Sequence, residues 1–253
     1  GLGDVYKRQV RTGSYFDNSE LAATGLPSTE ELELLTPLKD QLPVSVFTQE
    51  YKNPENLDPN ALRQNLRKAK KLLEEAGWNV TNGKLQKNGQ ILEVEFLLVQ
   101  PAFERIVAPF IRNLEKLGIT ANIRTIDPTQ YQNRVMDYDF DIIVHSFGQS
   151  LSPGNEQRNY WSAENADRPG GRNLIGIKNP AIDKLVEHII FAPDRAAQIT
   201  ATRALDRVLL AHHFVVPHWH IPTHRLAYWH NISRPGNLPL YSDVASCAMN
   251  MMP

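Results

Sequence analysis

The stretch "ILEVEFLLVQPAFERIVAPFIRNLEKLGITANIRTIDPTQYQNRVMDYDFDIIVHSF", Ile91 to Phe147, decides the fold. Ile91 to Val99 reads as an apolar strand. Ala102 to Leu117 follows with Phe103, Ile106, Phe110, Leu114 and Leu117 at helical spacing. Gly118 closes that helix, and Pro109 inside it predicts a kink. Ile119 to Ile126 is a second strand. Asp127-Pro128 opens another helix, which runs to about Met136, because proline fits the first helical position. Phe140 to Phe147 is a third strand. Strand, helix, strand, helix and strand on short connections predict consecutive parallel crossovers in an α/β domain.

Working outward, Ser28 and Glu31 have the spacing of a capping box for a helix to about Leu35. Asp58-Pro59 starts another, with Leu62, Leu66, Ala69, Leu73 and Ala76 on one face and Gly77 as its stop. Asn82-Gly83 and Asn88-Gly89 are tight-turn pairs and predict short hairpin strands before Gln90. Val10 to Leu26 lacks a period and reads as an irregular, partly aromatic surface segment. Downstream, helices are expected from Asn179 or Pro180 to Phe191 and, capped by Asp194, to about Ala211. The latter turns Ala197, Ala201, Ala204, Leu205, Val208 and Leu209 inward. Phe214 to Trp219 is expected to be a strand.

The chain has 253 residues, 42% of them hydrophobic, enough to bury a sizeable core. A net charge of −1 removes the basic footprint of a nucleic-acid binder. No apolar run approaches the roughly 18 residues of a membrane span. Cys247 is the only cysteine, so an internal disulfide is excluded. Gly1 to Gln9, "GLGDVYKRQ", reads as adapter-derived and non-native, and the remainder as a piece of a longer chain.

Three constellations invite a chemical reading. His218 and His220 share one strand face, with His224 nearby, a spacing usable by a metal. No carboxylate or thiolate stands beside them at ligand spacing, and HExxH is absent. Ser150 and Ser152 lack the GxSxG elbow of a serine hydrolase. The third is "FGQSLSPGNEQRNYW", Phe147 to Trp161, which leaves the C-terminal end of the third strand, where open α/β sheets place ligands. Its bland reading is a turn into a helix capped by Ser152 with Pro153 first. Against that stand three aromatics that are costly to expose and the hydrogen-bonding side chains of Gln149, Asn155, Glu156, Gln157 and Arg158, an apolar wall with placed polar groups. Gln149, Ser150 and Asn155 suit an extended backbone. Glu156 suits a cationic group such as a terminal amine, with Arg158 as its orienting partner.

"NLRKAKKLLEEAGW", "PAFERIVAPFIRNLEKLGITANIRTID", "YQNRVMDYDFDIIV" and "SPGNEQRNYW" together resemble the bacterial extracellular solute-binding proteins of the oligopeptide and dipeptide class, receptors of ABC importers. The Ser-Pro-Gly-Asn-Glu-Gln run, with "RNLIGIKNPAIDKLV" and "ALDRVL", most resembles the oligopeptide and microcin C-binding, YejA-like branch. The resemblance implies a periplasmic-binding-protein-like type II fold and an incomplete two-lobed receptor. Residues 10–214 would be its C-terminal lobe, and residues 215–253 a hinge crossover and tail returning to an N-terminal lobe. It implies a peptide or peptide-like ligand held by Phe147, Gln149, Ser150, Ser152, Asn155, Glu156, Arg158 and Asn173. It further implies ABC-importer permease subunits as partners, a periplasmic monomer, no cofactor and no catalysis; the alternatives are a nickel or zinc receptor on the same scaffold and, after it, a hydrolase. Relatives that grip a peptide's terminal amine often use an aspartate just after this strand, where the present chain has Gln149 and Ser150.

Overall fold

A computed structural model of the chain describes residues 10–56, 58–223, 232–233 and 250–251. The expectations for Gly1 to Gln9, for His224 and for most of the tail fall outside these. The described chain forms two compact units: one from residues 10–53, 147–167 and 175 onward, the other from residues 54–146 and 168–174.

The first unit opens with β1 (Val10–Arg11) and an irregular segment, then α1 (Thr29–Leu35) and the short α2 (Ser45–Thr48). The capping box forms as expected: the Ser28 hydroxyl accepts from the Glu31 amide, and the Glu31 carboxylate accepts from the Ser28 amide.

The second unit begins with α3 (Pro59–Glu75). Asp58 accepts from the Asn60 and Ala61 amides at its start. At its end Gly77 takes φ +85°, and the amides of Gly77 and Trp78 reach the carbonyls of Glu74 and Leu73, the paired bonds of a Schellman stop. An antiparallel meander follows, of β2 (Asn79–Thr81), β3 (Lys84–Lys87) and β4 (Gln90–Ile91). Both Asn-Gly pairs turn it with positive φ at each residue. Next come β5 (Glu93–Leu98), α4 (Glu104–Glu115), β6 (Thr120–Thr125), α5 (Pro128–Met136) and β7 (Ile142–Ile143). The three strands form a parallel sheet in the order β6-β5-β7, as two crossovers require. Phe96, Leu98, Val107 and Ala121 make its core, flanked by Phe103, Ile111, Leu114 and Ile142.

In this unit two expected strands, those from Ile91 and from Phe140, are shorter than read. The apolar run from Ile91 divides at Leu92, whose amide donates to Leu85 of the meander while its carbonyl accepts from Thr120 of the parallel sheet. One residue thus serves two sheets, and the chain changes partner there. β7 keeps only two paired residues because its neighbour β5 ends at Leu98, one residue past the Leu97–Ile143 pair. α4 runs through Pro109, and Gly118 is its stop, at φ +83°. A side chain there would meet the Leu85 amide nitrogen at 3.0 Å, so glycine is required sterically as well as conformationally.

Back in the first unit lie α6 (Glu156–Trp161), α7 (Pro180–Ile190), α8 (Arg195–Ala211) and β8 (Trp219–His220). β8 pairs antiparallel with β1. Of the strand expected from Phe214 to Trp219 only Trp219 falls in β8, and Pro217 has no amide to donate to a ladder. The core packs α7 against α8 through Ile182, Leu185, Ile189, Leu205, Val208 and Leu209, with Leu35, Leu38 and Val46 from the opening segment.

Val10 to Leu26 is irregular as read, but it is not a surface segment. Ser14, Phe16 and Leu21 are buried. What holds them is a polar face of α8 that its apolar period conceals. Asp206, fully buried, accepts from the Ser14 hydroxyl (2.7 Å), the Tyr15 amide (2.9 Å) and the Ala23 amide (2.8 Å). Arg207 donates to the carbonyls of Thr24 and Gly25 and pairs with the buried Glu31 carboxylate at 3.0 Å. Backbone groups without a strand or helix partner are thereby satisfied inside the protein.

Burial outweighs the three donors and pushes the Asp206 carboxyl up to about 6 from 3.8. The folded state therefore binds this proton before the unfolded chain does. The contribution of Asp206 to stability is fully present below about pH 4 and declines as pH rises through 6. Asp206→Asn sets an amide N–H₂ against donors and should lower the unfolding free energy at pH 7 by about 2–4 kcal/mol. Urea titrations should show the gap between wild type and variant widening from pH 6 to pH 4. A gap that narrows over that range would mean that the carboxylate, and not the acid, is the form the fold favours.

Candidate ligand-binding site

Phe147 enters the first unit two residues before Gln149. Its ring lies among three others: Trp161 at 5.0 Å, Tyr15 at 5.7 Å edge-on and Tyr160 at 6.0 Å edge-on, between centroids. Tyr15 also meets Trp161 edge-on at 5.2 Å. Trp161 is fully buried and belongs to the core, whereas Phe147, Tyr160 and Tyr15 are half-buried and form its outer edge. Edge-to-face packing of this kind adds to the burial of the rings. Burial, with the negative Asp206 nearby, raises the Tyr15 pKa well above the usual phenol range, and its buried hydroxyl has no partner among the described residues.

Between Phe147 and α6 the chain is pinned from α8. Arg195 donates to the Leu151 carbonyl and Gln198 to the Pro153 carbonyl, both at 2.7 Å. The Ser150 hydroxyl accepts from the Ser152 amide at 3.2 Å, so it serves its own turn. Ser152 is exposed and caps nothing; the helix begins at Glu156, after Asn155, whose side chain makes no capping bond. Glu156 folds back, and its Oε1 accepts from the Gly154 amide at 2.8 Å.

Gln157 connects these parts. It is fully buried. The Trp161 indole donates to its Oε1 at 2.8 Å, and its Nε2 donates to Gln149 Oε1 at 2.7 Å and to Glu156 Oε1 at 3.3 Å. The expectation that Arg158 orients Glu156 is corrected. Residues two apart on a helix do not face each other. The Arg158 guanidinium lies 6.0 Å from the ring centre of the exposed Phe191 instead.

The structure therefore gathers Phe147, Gln149, Ser150, Ser152, Asn155, Glu156 and Arg158 in one unit. Asn173, buried, falls in the other. Two members of the group went unassigned in the sequence reading. Gln157 was detectable, since it stands four residues before Trp161 on a helix and an indole N–H needs an acceptor. Tyr15 carried no local signal. Of the histidines, His220 Nδ1 lies 3.2 Å from the Thr12 hydroxyl and 3.7 Å from Asp17. Burial lowers the His218 pKa. Among the described residues no three metal-ligating side chains come together.

Residues 36–169, more than half of the chain, match the model of the bacterial extracellular solute-binding proteins, family 5 (middle region). The chain belongs to this family. It is 48% identical over 239 residues to the probable peptide-binding protein YejA of Agrobacterium fabrum, covering 94% of the present chain and 39% of that protein. It is 37% identical to the peptidoglycan-binding protein YepA of the same organism, with the same two coverages. The chain thus spans well under half the length of these family 5 relatives. The solved oligopeptide-binding protein AppA of Bacillus subtilis, in complex with a nonapeptide, superposes with a TM-score of 0.55 at 20% identity, over 76% of this chain and 39% of AppA. At that identity the likeness establishes the fold, which is the periplasmic-binding-protein-like α/β architecture expected.

Gln157→Leu keeps the volume but leaves the Trp161 indole N–H and the Gln149 carbonyl oxygen without partners. It should cost about 2–4 kcal/mol of unfolding free energy in urea denaturation, since each orphaned polar group costs about 1–3. A loss below about 1 kcal/mol would show that water replaces the amide freely and that the turn is not braced through it.

Proposed function

We propose that this chain is part of the substrate-binding component of an ABC importer that takes up peptides or peptide-like compounds. Family membership over residues 36–169 carries the reading, and the 48% identity to a protein named as a probable peptide-binding protein sharpens it. Peptides of cell-wall origin fall within the same class, given the relative named for peptidoglycan binding. In this reading residues 10–214 belong to the C-terminal lobe of a two-lobed receptor, and residues 215–253 form a crossover and tail. The receptor acts as a periplasmic monomer, delivers its cargo to membrane permease subunits, and catalyses nothing.

Phe147 supplies apolar wall, and Gln149, Ser150, Ser152 and Asn155, all of the first unit, supply hydrogen bonds to an extended backbone. Such ligands draw much of their affinity from main-chain groups, so placed polar side chains matter more than matching side-chain pockets. Glu156 uses Oε1 to brace its turn, and among the described residues Oε2 makes no hydrogen bond. We assign that oxygen to a cationic group of the ligand. Arg158 contributes positive charge at the rim.

The full-length receptor should bind peptides in calorimetry with release of no product. Glu156→Ala should weaken binding at least about 30-fold, as truncating one member of a desolvated charge pair costs about 2–5 kcal/mol. Its melting temperature should fall by no more than a few degrees. A wild-type receptor that binds no peptide sinks the reading. A receptor that binds, with the Glu156→Ala affinity within threefold of wild type, sinks only the role of Glu156.

A further inference from the structure

The polar chain Trp161–Gln157–Gln149 has a direction, and that direction selects the ligand group. An indole N–H can donate and cannot accept. Gln157 must therefore turn Oε1 toward Trp161, and its Nε2 lies on the far side. Carboxamides are nearly symmetric in shape, so their partners decide which end is which. Here the decision is made by a group with no alternative. Both hydrogens of Gln157 Nε2 are then used, one toward Gln149 Oε1 and one toward Glu156 Oε1. Flipping the Gln149 amide would set N–H₂ against N–H₂. Its orientation is thus fixed at one remove by Trp161.

The far end of the relay is Gln149 Nε2. It is buried, and no acceptor meets it among the described residues. An unmet buried donor costs free energy, and folds retain few of them. Gln149 itself is half-buried and stands in the chain between the exposed Gly148 and Ser150. Nothing at this atom suits an amine, which would bring hydrogens against hydrogens.

We propose that Gln149 is a preset hydrogen-bond donor that takes an acceptor oxygen of the ligand, a carbonyl or a carboxylate, and that Gln157 is the positioning residue that holds it so. This rests on the receptor reading above and adds polarity to it. The donor at Gln149 and the free oxygen of Glu156 belong to two side chains held by the same Gln157 nitrogen, one for an oxygen of the ligand and one for its cationic group.

The test uses the full-length receptor and peptic peptides of casein. Peptides retained by the wild type are identified by mass spectrometry, and the most strongly retained one is titrated by calorimetry against each variant. Gln149→Glu replaces the donor with an acceptor at almost constant shape. It should weaken binding at least about 30-fold, and by more than Gln149→Ala, which loses the bond without adding repulsion. Binding by Gln149→Glu equal to or tighter than by Gln149→Ala would mean that the facing group is a cation, and would overturn the proposal. In a Trp161→Phe background the relay loses its fixed end, and the Gln149→Glu penalty should shrink at least threefold. A merely structural role for the relay would leave that penalty unchanged, which would overturn the role of Gln157. If Trp161→Phe does not fold, the Gln149 pair decides alone. A wild-type receptor that retains no casein peptide overturns the receptor reading, and this inference with it.

Discussion

The first unit depends on one buried carboxyl. Asp206 stands on a helix whose neighbours Leu205, Val208 and Leu209 are fully buried, and its three hydrogen bonds go to a segment with no regular structure. An irregular segment can be buried only if its amides find partners, and side chains from a packed helix are the available source. The bond to the Tyr15 amide also places the Tyr15 ring against Phe147 and Trp161. The aromatic edge of the candidate site is therefore set in part from α8, through Asp206. Arg207 acts alongside by holding the next turn of the same segment and the start of α1 through Glu31. Its charge is matched by Glu31, and its two terminal nitrogens also donate to the carbonyls of Thr24 and Gly25, which offsets the cost of burying the pair.

Local rules were sufficient wherever the determining interaction is local. The caps at Ser28, Asp58, Asp127, Asn179 and Asp194 form within a few residues of where the side chains stand in sequence. The same holds for the stops at Gly77 and Gly118 and for both Asn-Gly turns. The parallel crossovers follow from the alternation of periods. The reading failed where a distant partner decides. Strand length at β7 is set by where β5 ends, and Leu92 is divided between sheets by neighbours on either side. The anchoring of Ser14 to Ala23 depends on residues more than 180 positions away, with Asp206 and Arg207 hidden inside a helix that otherwise reads as amphipathic. A polar residue on an apolar helix announces its burial only through its partner.

The candidate site shows the same division. The stretch from Phe147 to Trp161 was legible as a place where rings and hydrogen-bonding groups collect. The roles within it were not, because several side chains are spent on the turn itself. Glu156 braces Gly154, Ser150 braces Ser152, and Arg158 turns to Phe191. Counting polar residues in a loop overstates what remains for a ligand. The useful quantity is the set of atoms left over when the internal bonds have been made.

Those leftover atoms have opposite signs. Gln149 retains a donor and Glu156 an acceptor oxygen, and both bond to Gln157 through their other ends. A single amide, fixed by an indole that can only donate, imposes this arrangement on both neighbours. Rotating the Gln157 amide would cost its bonds to Trp161, Gln149 and Glu156 together, so these contacts are held in common through one side chain. In the receptor proposed above, main-chain groups are the feature that peptides of any sequence share. Fixed donors and acceptors aimed at the groups every peptide shares give orientation without sequence preference, and a relay rooted in the hydrophobic core keeps those groups fixed before the ligand arrives.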